Sequence, residues 1–215
     1  STANLNANTN IGSNPTAANE GNVLFQQVGG TLNSIGGARE LTIDVRGTTT
    51  GTDDDGDITL PGTIGSAGNP FGSLTFLSDE GTITVGNDGA AAAIFATQTN
   101  GTHAIQHGSS TILTANTTIN TVGGVADFSD TIFSSDGVAE RSLTINTTDG
   151  AATAEGNIFF AGADNAGGNF LSALTFTVSE SNGDDGDITF INDSETTVSV
   201  QLDGGNVTSN GTIAG

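Results

Sequence analysis

The sequence predicts an all-β protein built as a parallel β-solenoid. Three observations carry this expectation. Short apolar clusters alternate with threonine, the clusters recur at near-constant spacing, and no stretch of 10–12 residues has helical periodicity. Alternation at period two marks a strand with one face buried, and threonine is well suited to the outward side.

The clusters run the length of the chain. In order they are Val23-Leu24-Phe25, Leu41-Thr42-Ile43, Ile58-Thr59-Leu60, Leu74-Thr75-Phe76, Leu143-Thr144-Ile145, Ile158-Phe159-Phe160, Leu174-Thr175-Phe176 and Ile188-Thr189-Phe190. Phe25 to Leu41, Ile58 to Leu74, Ile112 to Phe128 and Ile158 to Leu174 are each steps of 16 residues. Phe25 to Ile58 is 33, and Phe128 to Ile158 and Ile158 to Ile188 are each 30. A unit of about 31 residues therefore carries two principal strands half a unit apart. Such a unit is too short to bury its own apolar face, so it must stack on its neighbours. Glycine, asparagine and aspartate between the strands are expected to take the positive-φ corners.

Longer echoes support the repeat. The segment from Leu41 to Phe76 resembles the one from Leu143 to Phe176. The hexapeptide from Asp54 to Thr59 recurs unchanged from Asp184 to Thr189. The alternative architecture is an antiparallel β-sandwich or jelly roll, which also uses many short strands; the 16-residue regularity favours the solenoid. Residues 21–215 are expected to form one repetitive β domain, irregular around 87–110, where Ala90–Ala93 and the His103–His107 stretch have no counterpart. Residues 1–20, polar and rich in asparagine, are expected to form a flexible N-terminal arm. Such an arm could add as a strand to a neighbouring subunit.

Composition excludes several functions. The 215 residues include 24 acidic ones against three arginines (Arg39, Arg46, Arg141) and no lysine, for a formal charge of −21. Binding nucleic acid requires cations against phosphate, and so does binding an anionic membrane. Without cysteine there are no disulfides and no thiolate metal sites. No apolar run approaches the length of a membrane-spanning helix, so direct membrane insertion is not expected. Starting with serine and lacking methionine, the chain reads as a mature product or an excerpt of a longer one.

The stretch Val125-Ala126-Asp127-Phe128, Arg141-Ser142-Leu143-Thr144-Ile145, Gly156-Asn157-Ile158-Phe159-Phe160, Leu171-Ser172-Ala173-Leu174-Thr175-Phe176 and Gly186-Asp187-Ile188-Thr189-Phe190 carries a family likeness. It resembles the β-strand-repeat proteins of large bacterial surface adhesins, related in style to filamentous-haemagglutinin β-solenoids. The resemblance covers about two thirds of the chain and rests on these Gly/Thr-rich phrases. It implies a secreted, extended, non-enzymatic protein of the cell surface. The irregular middle and the modest length depart from that family.

Candidate chemistry centres on two acidic turns. Asp53, Asp54, Asp55 and Asp57 surround Gly56, and Asp184, Asp185 and Asp187 surround Gly186. Hard cations take several oxygen ligands at flexible turns, so Ca²⁺ is the expected cofactor there. Asp79, Glu80, Asp88 and Glu180 are weaker candidates. A solvated acidic turn is the plainer reading, since EF-hand spacing is not met. His103 and His107 are four apart, which on a strand places them on one face; a surface pair is the expectation. Arg39 and Arg141 each adjoin a glutamate (Glu40, Glu140), and an Arg–Glu corner pair is expected. Without tyrosine or tryptophan a sugar site lacks stacking platforms, and no nucleophile–base constellation stands out.

The expected function is therefore structural rather than enzymatic. The protein should form or decorate an extracellular surface layer, fibre or adhesin, self-assembling and stabilised by calcium. Its expected partners are copies of itself, in a homo-oligomer or polymer, and surface glycans. The alternative is a carbohydrate-binding or carbohydrate-active β-helix.

Overall fold

The computed structural model describes residues 2–12, 21–25, 30–46, 56–78, 81–86, 91–97, 103–107, 110–148, 156–163, 171–178, 186–191, 200–203 and 206–209. Among these there is no helix, and every strand pair is parallel. The chain is a parallel β-solenoid.

One sheet stacks eight strands in chain order: β1 (Thr2–Leu5), β4 (Thr31–Ser34), β7 (Thr63–Ile64), β10 (Ala92–Thr97), β13 (Thr117–Val122), β15 (Arg141–Asn146), β17 (Leu171–Thr177) and β19 (Val200–Asp203). The second sheet holds two stacks. One runs β2 (Thr9–Gly12), β5 (Glu40–Asp44), β8 (Ser73–Leu77), β11 (His103–His107). The other runs β3 (Val23–Leu24), β6 (Ile58–Thr59), β9 (Ile83–Val85), β12 (Thr111–Leu113). The long strand β14 (Val125–Ser135) joins them: Val125–Asp127 continue the β11 stack, and Phe133–Ser135 the β12 stack. β16 (Ile158–Ala163), β18 (Asp187–Phe190) and β20 (Asn206–Ser209) then extend it.

Alternation decides which side chains meet. Leu41, Leu74, Ala126, Ile158 and Ile188 point inward from the second sheet, and Ile64, Ile94, Ile119, Ile145 and Phe176 from the first; all are buried. The threonines between them remain half-exposed, as period-two geometry requires. Towards the C-terminal half the interior becomes aromatic. Phe160 packs on Phe133 (ring centroids 5.6 Å apart, stacked), Phe176 (5.0 Å) and Phe190 (6.0 Å), the last two edge-on.

Four features differ from the sequence reading. First, coils carry a third, short strand: β4, β7 and β9 span two to four residues, too few for a periodic signal. Second, the coil length varies. Pairing of Thr31 with Thr63 spans 32 residues, but Ala92 with Thr117 spans only 25 and Thr117 with Leu143 only 26. These short coils shift the phrase by one face. Leu41 and Leu74 stack in the second sheet, whereas their echoes Leu143 and Leu174 stack in the first. Likewise Ile58 lies in the β3–β6–β9 stack, while its copy Ile188 pairs with Ile158. Third, residues 2–5 and 9–12, within the segment expected as an arm, form the first rung of the stack.

Fourth, among the described residues every positive φ belongs to glycine, none to asparagine or aspartate. Gly65 shows why. It has φ +69, and a Cβ there would meet the Phe95 carbonyl oxygen at 2.5 Å, so L-residues are doubly excluded.

Two substitutions test this packing. Phe160→Ala removes a ring that touches three others and should cost about 3–5 kcal/mol in urea unfolding. Gly65→Ala should lower the melting temperature clearly, while Gly68→Ala, which has open space around it, should leave it nearly unchanged.

Candidate functional site

The acidic turns lead into strands, and the described part of each is tied into the coil stack. Asp57 lies just before β6. Its backbone N–H donates to Asn22 Oδ1 on the preceding coil (2.8 Å), and its own Oδ1 accepts the Thr82 N–H of the next coil (2.9 Å). Asp57 is thus the middle member of a side-chain ladder running up one corner, parallel to the strands' own hydrogen bonds.

The same device recurs at other corners. Asn8 Oδ1 accepts the Glu40 N–H (3.1 Å), and Asn8 Nδ2 donates to Glu40 Oε2 (3.1 Å). Asn116 Oδ1 accepts the Ser142 N–H (3.0 Å), and Asn157 Oδ1 the Asp187 N–H (2.8 Å). In each case a short carbonyl-bearing side chain before a strand reaches the backbone one coil on. Asparagine and aspartate are suited to such short-range backbone bonding. They stand at these corners as acceptors; the left-handed backbone is supplied by glycine.

This changes the calcium expectation in part. Of the seven carboxylates, Asp53, Asp54, Asp55, Asp184 and Asp185 lie outside the described residues. Asp57 and Asp187 lie within them, on different stacks of the second sheet. One oxygen of Asp57 already serves Thr82. Among the described residues no three His, Asp or Glu side chains gather closely enough to hold a metal. Of the weaker candidates, Asp79, Glu80, Asp88 and Glu180 also lie outside the described residues. So do the side chains of His103 and His107, whose backbone belongs to β11.

The arginines are held close to home. Arg46 grips Asp44 with two bonds, Nε to Oδ1 at 2.9 Å and Nη2 to Oδ2 at 2.8 Å. Arg141 Nη2 meets Asp136 Oδ2 at 2.9 Å. Arg39 donates to the Gly36 carbonyl (3.0 Å), and its N–H to Ser34 Oγ (2.9 Å). The expected Arg–Glu corner pairs are therefore replaced. Arg39 precedes a strand of the second sheet and Arg141 begins one of the first, so the two positions are not equivalent. Glu40 turns to Asn8 instead. The hydrogen bond from Arg141 holds the Asp136 carboxyl below its ordinary range, aided by the backbone N–H groups of Val138 and Ala139. The side-chain bond from Arg46 does the same for Asp44.

Compared with family models, with curated proteins and with solved structures, the chain matches none. The class is defined by the fold itself: a parallel β-solenoid repeat protein, whose corners are laddered by asparagine and aspartate.

Two outcomes follow from these contacts. Asp57→Asn keeps the acceptor and should unfold like the parent, whereas Asp57→Ala leaves the Thr82 N–H to water and should cost about 0.5–1.5 kcal/mol. The Arg141–Asp136 pair should stabilise fully above the ordinary carboxylate pKa of about 4 and weaken as pH falls through the lower folded value. The melting-temperature gap between the parent and Arg141→Gln should thus be flat from neutral pH down to about pH 5 and close on further acidification. Taking the difference removes the general relief of acidic repulsion common to both proteins.

Proposed function

We propose that this chain is a non-enzymatic structural segment of an extracellular surface protein, a β-solenoid scaffold in a fibre, layer or adhesin. One observation carries this reading: side chains at the corners tie one coil to the next. Asn8, Asn22, Asp57, Asn116 and Asn157 bridge coils, and all three arginines bond groups within their own turns. A stack of this kind transmits force along its axis through every backbone ladder at once.

The charge of −21 without lysine suits an ion-rich exterior, where divalent cations relieve the repulsion of carboxylates grouped around Gly56 and Gly186. The acidic turns are the calcium sites in this proposal, and other copies of the chain its first partners.

Negative-stain microscopy of the purified protein, with Ca²⁺ and then with chelator, tests it together with thermal melting. Extended rods or filaments in Ca²⁺, a melting temperature that rises with Ca²⁺, and reversal on chelation are the expected results. Asp54→Asn combined with Asp184→Asn should blunt the calcium shift. A monodisperse monomer, indifferent to both additions, would overturn the assembly and calcium readings alike.

A further inference from the structure

The outward side of the eight-stranded sheet carries two aligned columns. Thr2 pairs with Thr31, Thr31 with Thr63, Thr63 with Ala93, Ala93 with Thr118, Thr118 with Thr144, and Thr144 with Thr175. Six of these seven positions are threonine. Two residues along, Asn4 pairs with Asn33, and Phe95 with Asn120, Asn120 with Asn146 and Asn146 with Thr177. The columns are interrupted at β10, by Ala93 and Phe95, and end at β19, where Thr175 pairs with Gln201 and Thr177 with Asp203; the two-residue strand β7 offers Asn33 no partner.

No backbone element covers these positions. Thr2 and Asn4 are exposed, and the others from Thr31 to Thr177 are half-exposed. Among the described residues, the hydroxyls of Thr31, Thr63, Thr118, Thr144 and Thr175 bond no other side chain or backbone group. This face also carries little of the chain's dominant property. In a protein of charge −21, the eight strands contain only Arg141 and Asp203 as charged residues, one at a strand start and one on the last strand. The neighbouring sheet, by contrast, carries Glu40, Asp44, Asp127, Asp130 and Asp187 on its strands.

The geometry points to a lattice as the occupant, and we infer that this face binds ordered water at the surface of ice. Parallel pairing repeats the threonines about every 4.7–4.9 Å up the stack, and the second column stands about 6.6 Å away along each strand. Both repeats lie close to oxygen spacings in hexagonal ice. Threonine is stiff at χ1, so its methyl and hydroxyl are presented in one arrangement on every rung. The methyls order the first water shell, and the threonine hydroxyls anchor it; of the amides, Asn146 Oδ1 is taken by Thr148 and Asn33 Oδ1 is buried. A charged group would bind its own tight hydration shell and break the array, which accounts for columns that carry no charge from Thr2 to Thr177 on so acidic a chain and end at Asp203. A glycan partner would find one outward aromatic here, Phe95, against a column of small hydroxyls.

The test uses the whole chain fused to a fluorescent protein. Incorporation into a slowly growing ice crystal and inhibition of ice recrystallisation are measured. The parent should enter the ice and suppress grain growth. Thr118→Lys and Thr144→Lys, at the centre of the column, should each weaken the effect about tenfold or more. Thr42→Lys and Thr75→Lys, an equivalent stacked pair on the second sheet, should leave it unchanged. Melting curves for all four establish that each is folded; a variant that melts with the parent is a fair comparison, and Thr118→Val or Thr144→Val replaces any that does not. Exclusion of the parent from ice overturns the proposal. Equal loss from both pairs of variants overturns it too. Capture on chitin or cellulose particles, or self-association, that Thr118→Lys abolishes while ice is ignored would reassign the face to a glycan or to a second copy. None of these readouts depends on whether the protein forms filaments, so this inference and the structural reading fail separately.

Discussion

The structure depends on one constraint: each coil must present its successor with the same register. In a parallel ladder a slip of one residue turns every side chain to the opposite side. Here a slip would carry Leu41, Leu74 and Ile158 out to water and bring Thr42, Thr75 and Phe159 in. The interior has little apolar material to lose, with only 34% of the chain hydrophobic. Register is therefore enforced at each corner as well as by the core. Glycines set the turn, and asparagine or aspartate side chains tie the start of one strand to the start of the strand above.

That division of labour explains the composition. A coil with two or three short strands needs only a few inward residues per strand. The rest of the chain is corner and outer surface, which is why glycine, threonine and asparagine dominate over leucine and tyrosine. The corner ladder gives backbone N–H groups a side-chain partner one coil away, mostly at the exposed surface. Aromatic packing is concentrated where Phe133, Phe160, Phe176 and Phe190 meet, in the half of the chain where coil lengths have shifted the phrase to a new face.

Much of the fold was legible in the sequence because threonine alternation and the 16-residue step both derive directly from the coil. The short strand β7 was not legible, and with two residues it is typical of its kind. Two residues carry no period, and they form a strand only because a longer neighbour offers its backbone. Residues 2–5 and 9–12 read as a polar arm for a similar reason, since they lie at the end of the stack and bury little. The acidic turns were visible as clusters, but the role of Asp57 was not. Nothing in a run of aspartates marks the one whose oxygen reaches Thr82 on another coil. The threonine column was hidden as well, because Thr2, Thr31, Thr63, Thr118, Thr144 and Thr175 are unevenly spaced along the chain and align only through strand pairing.

The sequence by itself determined the class of structure and its charge: an all-β repeat, without helix or thiol chemistry, strongly acidic and poor in cations. These properties are local or additive, so counting and spacing reach them. The tertiary structure alone decided which phrases stack on which. The lengths of the intervening turns sum along the chain, and a deficit of a few residues in the coils after β10 moves the later copy of the phrase to another face. The same accumulation decides which outward threonines share a column, and with it what surface the protein offers to its environment.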